Sequence, residues 1–104
     1  MTDVQQSVGR VGDKLAGRVA LVTGGIRGIG EAICVSLASQ GASVAAGFSG
    51  NTERAQAFLA EFRERFPGQA VSVHQGNVGV GDDARRIVAE VIQEHGRLDI
   101  LVNN

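Results

Sequence analysis

The segment TGGIRGIG, from Thr23 to Gly30, carries the clearest chemical signal in this sequence, and it directly follows the apolar run VALV. Glycine adopts positive φ angles and lets the backbone approach a ligand without a Cβ in the way. A helix that begins within this segment would direct free N–H groups and the positive end of its dipole at that ligand. The spacing therefore predicts an anion site suited to a pyrophosphate.

Two related glycine motifs are excluded by single residues. In a P-loop, a Lys follows the last glycine and holds the phosphates. Here Glu31 follows it, and its charge would repel them. The strict G-x-G-x-x-G motif also fails, because Ile33 stands in the place of the third glycine. The remaining pattern is T-G-x-x-x-G-x-G, which argues against a nucleoside triphosphatase.

Apolar runs that alternate with amphipathic stretches predict the elements that position this loop. Strands are predicted at residues 18–23, 42–48, 70–75 and 98–102, and helices at 28–40, 52–66 and 82–95. Helical crossovers between buried strands imply parallel pairing with right-handed connections. We therefore expect an α/β fold, a Rossmann-type doubly wound parallel sheet of order 3-2-1-4. Thr23-Gly24 and Asn103-Asn104 would meet at its switch point, where such sheets bind ligands.

Helical spacing also predicts which faces of the helices are buried. In the first helix, Ile29, Ile33 and Leu37 recur every four residues with Ala32 beside them, and they predict the buried face. In the second helix the core stripe is predicted to be Ala55, Phe58, Leu59, Phe62 and Phe66. Cys34, the single cysteine, is interpreted as a small buried apolar residue.

Four polar side chains receive structural interpretations. Asn51 and Asp82 are placed to cap the second and third helices. Arg54 is expected on the exposed face of its helix, with contact to a phosphate of the ligand as the alternative. His95 is interpreted as a cation at a helix C-terminus. His74 and His95 have no Cys or carboxylate at ligand spacing, so no metal site is predicted.

Composition narrows the class of protein. The 104 residues include ten basic and eleven acidic side chains, a formal charge of −1. Because the arginines are scattered, no basic face for nucleic acid is expected. No apolar stretch approaches the length of a membrane span, and the first residues lack the pattern of a signal or transit peptide. We expect a cytoplasmic protein with a loose leader at residues 1–16 and a dinucleotide-binding part at residues 17–104.

The chain resembles the short-chain dehydrogenase/reductase family from Leu15 to Asn104. The resemblance rests on TGGIRGIG, on Asn77-Val78 and on LDILVNN, which together are most similar to the β-ketoacyl thioester reductase branch, the 3-oxoacyl-acyl-carrier-protein and acetoacetyl-CoA reductases. The stretch 48–53, FSGNTE, favours the acetoacetyl-CoA side of that branch. The resemblance implies reduction of a 3-oxoacyl thioester by a nicotinamide cofactor, and a homotetramer for the full-length protein. It also implies that the sheet of this chain is truncated after the fourth strand.

The residues themselves favour NADPH over NADH. An NAD site places Asp or Glu at the end of the second strand, but here no carboxylate precedes Glu53. Arg27 adds a guanidinium that could meet a 2′-phosphate, although it could also be a solvated surface residue. The resemblance further places Ser49 near that phosphate, Asn77 and Val78 beside the adenine, and Asn104 on the nicotinamide ribose side. The candidate cofactor-binding residues are Gly24, Gly25, Ile26, Arg27, Gly28, Ile29, Gly30, Ser49, Asn77, Val78 and Asn104.

No catalytic residue is predicted within this chain. The resemblance implies a Tyr, a Lys, a Ser and a further Asn, all downstream of the segment that ends at Asn104. The sequence contains no Tyr, and its single Lys, Lys14, precedes the first strand. We expect the N-terminal part of a longer reductase, inactive alone, whose fourth strand forms an exposed apolar edge. The alternatives are a non-catalytic NADP-binding module and a dehydrogenase with another alcohol or ketone substrate; a methyltransferase-like domain is less favoured.

Overall fold

The structure is a computed structural model that describes residues 12–104, so residues 1–11 of the expected leader lie outside it. Four strands alternate with three helices. The elements are β1 (Val19–Val22), α1 (Gly28–Ala38), β2 (Ser43–Phe48), α2 (Thr52–Arg65), β3 (Val71–Gln75), α3 (Gly81–His95) and β4 (Ile100–Val102). Each predicted element is present, and the bounds differ by at most about two residues.

The four strands form one parallel sheet of order β3-β2-β1-β4, which confirms the predicted fold class and strand order. Val22 of β1 lies opposite Ala46 of β2 and Val102 of β4, so these three strands end side by side. The two outer strands are β3 and β4. The side chain of Leu101 in β4 is 62% exposed, as expected for an apolar edge.

Helices cover both faces of the sheet because alternate strand residues point to opposite sides. On one face, Val22 and Val44 pack with the buried phenylalanines of α2. On the other face, Leu21 and Ala45 pack with Ile87 of α3. Phe58, Phe62 and Phe66 are buried, which confirms the predicted core stripe.

The buried face of α1 differs from the prediction. Ile29 is 75% exposed and Ala32 is exposed, whereas Gly30, Cys34 and Ala38 face the sheet. Small side chains allow this helix to approach the strands closely, and the bulkier Ile33 and Leu37 are only partly buried beside them. Cys34 is fully buried as predicted, and this burial raises the pKa of its thiol to about 12.

The caps agree with the prediction in α2 and differ in α3. The Asn51 side chain accepts a hydrogen bond from the backbone N–H of Arg54 at 3.0 Å. In α3 the capping position is Val80, which makes no side-chain cap, and Asp82 lies within the first turn. A carboxylate there still interacts favourably with the helix dipole. Gly96 ends α3 in the left-handed conformation, with φ of 86°.

A carboxylate holds the start of β4 against β1. The backbone N–H of Val19 donates to Asp99 Oδ2 at 2.9 Å, and the Asp99 N–H donates to the carbonyl of Val19 at 2.9 Å. Arg97 forms two hydrogen bonds with the same carboxylate. This arrangement fixes the register that brings the end of β4 to the glycine loop.

Candidate functional site

Two adjoining pockets lie at the carboxyl ends of the strands, where open α/β sheets bind ligands. The first has a volume of about 180 Å³, and the second about 290 Å³. Gly24, Phe48 and Ser49 line both pockets. The first is completed by Thr23, Gly47, Gly76, Asn77, Val78 and Asn104, and the second by Ile26, Arg27, Gly50 and Asn51. Seven of the predicted site residues therefore meet around one cleft.

Two glycines of the loop fill packing positions. The Gly25 N–H donates to the carbonyl of Gly47 at 3.1 Å, and a Cβ on Gly25 would lie 2.9 Å from the Cβ of Ala46. A Cβ on Gly30 would overlap the carbonyl group of Gly24. Both positions thus hold the loop close to β2 and α1, and neither lines the pockets.

Gly28, in contrast, faces open space at the N-terminus of α1. Its φ is +62°, and an added Cβ would meet nothing within 4 Å. The N–H groups of the first helical turn, Gly28 to Gly30, have no partner within the helix. Such a terminus attracts an anion through its free donors and its dipole. The side chain of Ile29 is apolar and 75% exposed, so it offers no donor to an anion at this terminus.

Arg27 is the only charged residue among those lining the two pockets. Its backbone is extended, with φ of −162°, and its exposed side chain makes no capping bond to α1. Ser49 lies on the same pocket. A guanidinium and a hydroxyl, with no carboxylate on the lining, form a donor set suited to phosphate oxygens.

Arg54 was expected on the exposed face of its helix, and this prediction was wrong. The side chain is only 25% exposed and reaches across to the loop. Its Nε donates to the carbonyl of Ile26 at 2.8 Å, and its Nη2 donates to Glu31 Oε1 at 2.7 Å. Arg54 therefore neutralises the one carboxylate in the first turn of α1.

The loop after β3 is fixed by its own polar groups. The Asn77 N–H donates to Asp83 Oδ2 at 2.9 Å, while Asn77 Oδ1 accepts from the Gly79 N–H at 2.8 Å. The exposed Asn77 and Val78 thereby keep a defined place on the first pocket.

Asn104 is tied to the glycine loop. Its N–H donates to Thr23 Oγ1 at 2.9 Å, and its Nδ2 donates to the carbonyl of Gly24 at 3.3 Å. Thr23 Oγ1 also lies 3.4 Å from Asn103 Oδ1. The predicted meeting of the ends of β1 and β4 is thus present, and it closes one wall of the first pocket.

A family model described as short chain dehydrogenase matches residues 18–104. The chain belongs to the short-chain dehydrogenase family. Among its relatives, the 3-oxoacyl-[acyl-carrier-protein] reductase FabG of Staphylococcus epidermidis is 39% identical over 85 residues, 82% of this chain and 34% of that protein. An acetoacetyl-CoA reductase of Rhizobium meliloti is 46% identical over 87 residues, 84% of this chain and 33% of that protein.

Solved structures of short-chain dehydrogenases share the fold. A Burkholderia cenocepacia member in complex with NADP is 43% identical, with a TM-score of 0.80 over 88% of this chain and 36% of that one. A blue fluorescent protein from a metagenomic library, in complex with NADPH, is 35% identical, with a TM-score of 0.80 over 88% of this chain and 37% of that one. The chain spans about a third of the length of the curated relatives it matches.

Neither His74 nor His95 is among the residues that line this cleft. Among residues 12–104, no group of three or more His, Cys, Asp or Glu side chains is placed to hold a metal ion. His95 is the last residue of α3, as predicted, but burial is the largest influence on its imidazole and lowers its pKa, which disfavours the predicted cation.

None of the described helices has the length and apolar character required to cross a membrane.

Proposed function

We propose that residues 17–104 bind NADPH, with its adenosine and pyrophosphate half in the two adjoining pockets. The observation that carries this proposal is the set of residues that line the pockets, in which Arg27 is the only charged one. Arg27 is also the N-cap residue of α1, next to the free N–H groups of its first turn. NAD recognition needs a carboxylate for the ribose 2′-hydroxyl, which neither lining supplies. The complexes of two family members with NADP and NADPH support the same cofactor class.

The proposed roles follow from the positions of the donors. The first-turn N–H groups of α1, with Gly28 leaving room, bind the pyrophosphate, while Gly24, Gly25, Ile26, Ile29 and Gly30 shape the loop around it. Arg27 and Ser49 bind the 2′-phosphate through charge-assisted hydrogen bonds. Asn77 and Val78 flank the adenine. Asn104 orients the ribose on the nicotinamide side, because its own N–H and amide group are anchored to the loop.

We further propose that the whole enzyme reduces a 3-oxoacyl thioester, acetoacetyl-CoA or a 3-oxoacyl-acyl carrier protein, to the 3-hydroxyacyl thioester. The bound nicotinamide supplies the hydride. The names of the relatives at 39% and 46% identity support this substrate class. The proton donor, a Tyr assisted by Lys and Ser, belongs to the part of the family layout that follows Asn104. In this proposal the enzyme is a cytoplasmic homotetramer.

The substrate proposal is tested by assaying NADPH oxidation by the whole reductase with three substrates. The substrates are acetoacetyl-CoA, a 3-oxoacyl-acyl carrier protein and a simple ketone without a thioester. We expect turnover of one or both thioesters and little turnover of the simple ketone. NADPH binding without any turnover would instead favour a non-catalytic NADP-binding module. Preferential reduction of the simple ketone would favour a dehydrogenase with another substrate.

A further inference from the structure

A partly buried hydrogen-bonded cluster, whose residues line neither of the two pockets, joins β3 to the end of α3. Ser72 Oγ lies 2.7 Å from His74 Nε2 and 2.8 Å from His95 Nε2. His74 Nδ1 in turn lies 2.8 Å from Glu90 Oε1. Ser72 and His74 are only 8% and 5% exposed, so water has little access to the bond between them, whereas the Glu90 side chain is 40% exposed. Ser72, His74, His95 and Glu90 are called the serine–histidine cluster below.

A hydroxyl carries one proton, so Ser72 can donate to only one of its two imidazole neighbours. The other imidazole must donate to Ser72 Oγ. The ionised Glu90 is an acceptor, which requires a proton on His74 Nδ1. While His74 is neutral, its Nε2 is therefore bare and accepts from Ser72, and His95 donates its Nε2–H to the serine oxygen. This arrangement leaves His95 Nδ1 without a proton.

The surroundings of His95 Nδ1 independently support the absence of a proton on this nitrogen. Within the part of the chain that the structure describes, His95 Nδ1 is the one buried side-chain nitrogen or oxygen without a hydrogen-bond partner. A bare ring nitrogen tolerates such a position better than an N–H, because an unpaired buried donor loses its bond to water.

We propose that the serine–histidine cluster is a proton switch, in which uptake of a proton by His74 reverses the Ser72 hydroxyl and moves the proton of His95 from Nε2 to Nδ1. Once His74 carries protons on both nitrogens, its Nε2–H donates to Ser72 Oγ. His95 Nε2 is then the one acceptor left within the cluster for the hydroxyl proton, and it accepts only if it is bare. The His95 imidazole remains neutral throughout. The cluster thus takes up one proton rather than two, since two imidazolium donors would leave the serine proton without an acceptor in the cluster.

Of the two imidazoles in the cluster, His74 is the one whose ring is hydrogen-bonded to a carboxylate. From α3, Glu90 faces His74 directly, Arg86 shares the Glu90 carboxylate at 2.7 Å, and Glu94 lies nearby on the same helix. From β2, the residues opposite Ser72 and His74 are Ala45 and Gly47, which do not titrate. Burial lowers the pKa of His95, and the hydrogen bond from His74 lowers the pKa of Glu90. Burial thus favours a neutral ring at His95, while the Glu90 carboxylate is placed to accept from His74 Nδ1.

A cavity of about 420 Å³ gives the proton a route to the cluster. It is lined by Val73, His74, Glu90, Gln93 and Glu94, so it opens the His74–Glu90 side and not the His95 side. The reversed state places an N–H of His95 where no partner is present. Acidification therefore weakens the contact between β3 and the end of α3.

The switch is tested by following the ring nitrogens of both histidines by ¹⁵N NMR in the 104-residue chain from pH 8 to pH 5.5. At pH 8 we expect a proton on Nδ1 of His74 and on Nε2 of His95. On acidification, His74 should gain its second proton while the His95 proton moves to Nδ1, with the same midpoint. Full protonation of both rings, or a His95 proton that stays on Nε2 while His74 titrates, would overturn the proposal.

Two variants separate the switch from simple packing. Ser72→Ala removes the shared hydroxyl, so the His95 nitrogen signals should no longer move with the His74 midpoint. Ser72→Thr keeps a hydroxyl and should restore the common midpoint. If Ser72→Ala does not fold, His74→Gln serves instead: this chain should keep the His95 proton on Nε2 throughout. A His95 shift that persists in a folded Ser72→Ala or His74→Gln chain would contradict the proposal. None of these readouts depends on cofactor binding.

Discussion

The guanidinium of Arg54 is paired with the carboxylate of Glu31, with 2.7 Å between Nη2 and Oε1. The same guanidinium donates from Nε to the carbonyl of Ile26 within the glycine loop. One side chain of α2 therefore holds the loop and cancels a negative charge in the first turn of α1. An uncompensated carboxylate at that turn would oppose an approaching phosphate.

Replacing Arg54 with Ala should destabilise the chain and loosen the loop. Hydrogen bonds that involve a charged partner contribute about 1.5–3 kcal/mol, and the partial exposure of this pair reduces the expected loss to about 1–2 kcal/mol. Urea unfolding monitored by circular dichroism measures the loss. Arg63→Ala, on the exposed face of the same helix, is the matched control and should change stability little. Equal stability of the two variants would mean that the Arg54 contacts contribute nothing.

Alanine substitutions at Gly28 and Gly30 should have different consequences, because only Gly30 is packed against another part of the loop. Gly30→Ala forces a Cβ into the Gly24 carbonyl, and we expect destabilisation of at least about 3 kcal/mol or failure to fold. Gly28→Ala meets open space and should cost only about 1 kcal/mol for its left-handed backbone. It should nevertheless reduce NADPH binding, because the methyl group would occupy the space that we propose for the pyrophosphate.

Thermal melts and NADPH titrations of both variants check this contrast. A Gly30→Ala chain as stable as the wild type would contradict the packing role. Undiminished NADPH binding by Gly28→Ala would show that the pyrophosphate does not lie at that turn.

Acidification should destabilise the chain in two steps. Burial lowers the pKa of His95 below its usual value of 6.5, so the unfolded chain binds the proton more readily, and stability should fall as the pH drops through about 6.5. The hydrogen bond from His74 lowers the pKa of Glu90 below its usual 4.5, so its contribution is present above 4.5 and is lost below that pH. Urea midpoints at pH 7.5, 5.5 and 4.0 measure both steps. In a His95→Gln variant the loss between 7.5 and 5.5 should shrink; an unchanged loss would assign it to other groups.

The sequence was sufficient to predict the strand order, because alternating buried strands and amphipathic helices leave few right-handed parallel topologies. The positions of Thr23 and Asn104 followed from the same order. The buried face of α1 could not be predicted in the same way. The regular spacing of its large apolar residues pointed to one face, whereas the small residues Gly30, Cys34 and Ala38 allow the closer approach to the sheet and are the ones buried. A run of small residues at the same spacing was the available signal.

Side chains that act across elements could not be predicted from spacing alone. Arg54 reaches a carbonyl 28 residues away in sequence, and Ser72 meets a histidine 23 residues away. Both contacts depend on the rotation of a helix relative to its strand, which periodicity fixes only to within a residue. The identity of the loop residues was therefore predictable, whereas the groups that support the loop were not.

The central claim, that this chain binds NADPH through Arg27, is tested most directly by titrating NADPH and NADH and following nicotinamide fluorescence. We expect tighter binding of NADPH by the wild-type chain. Arg27→Ala should weaken NADPH binding about tenfold or more, the loss expected for a charge-assisted hydrogen bond, and should change NADH binding little. A preference for NADH, no binding of either dinucleotide, or an equal loss of both in Arg27→Ala would contradict the account.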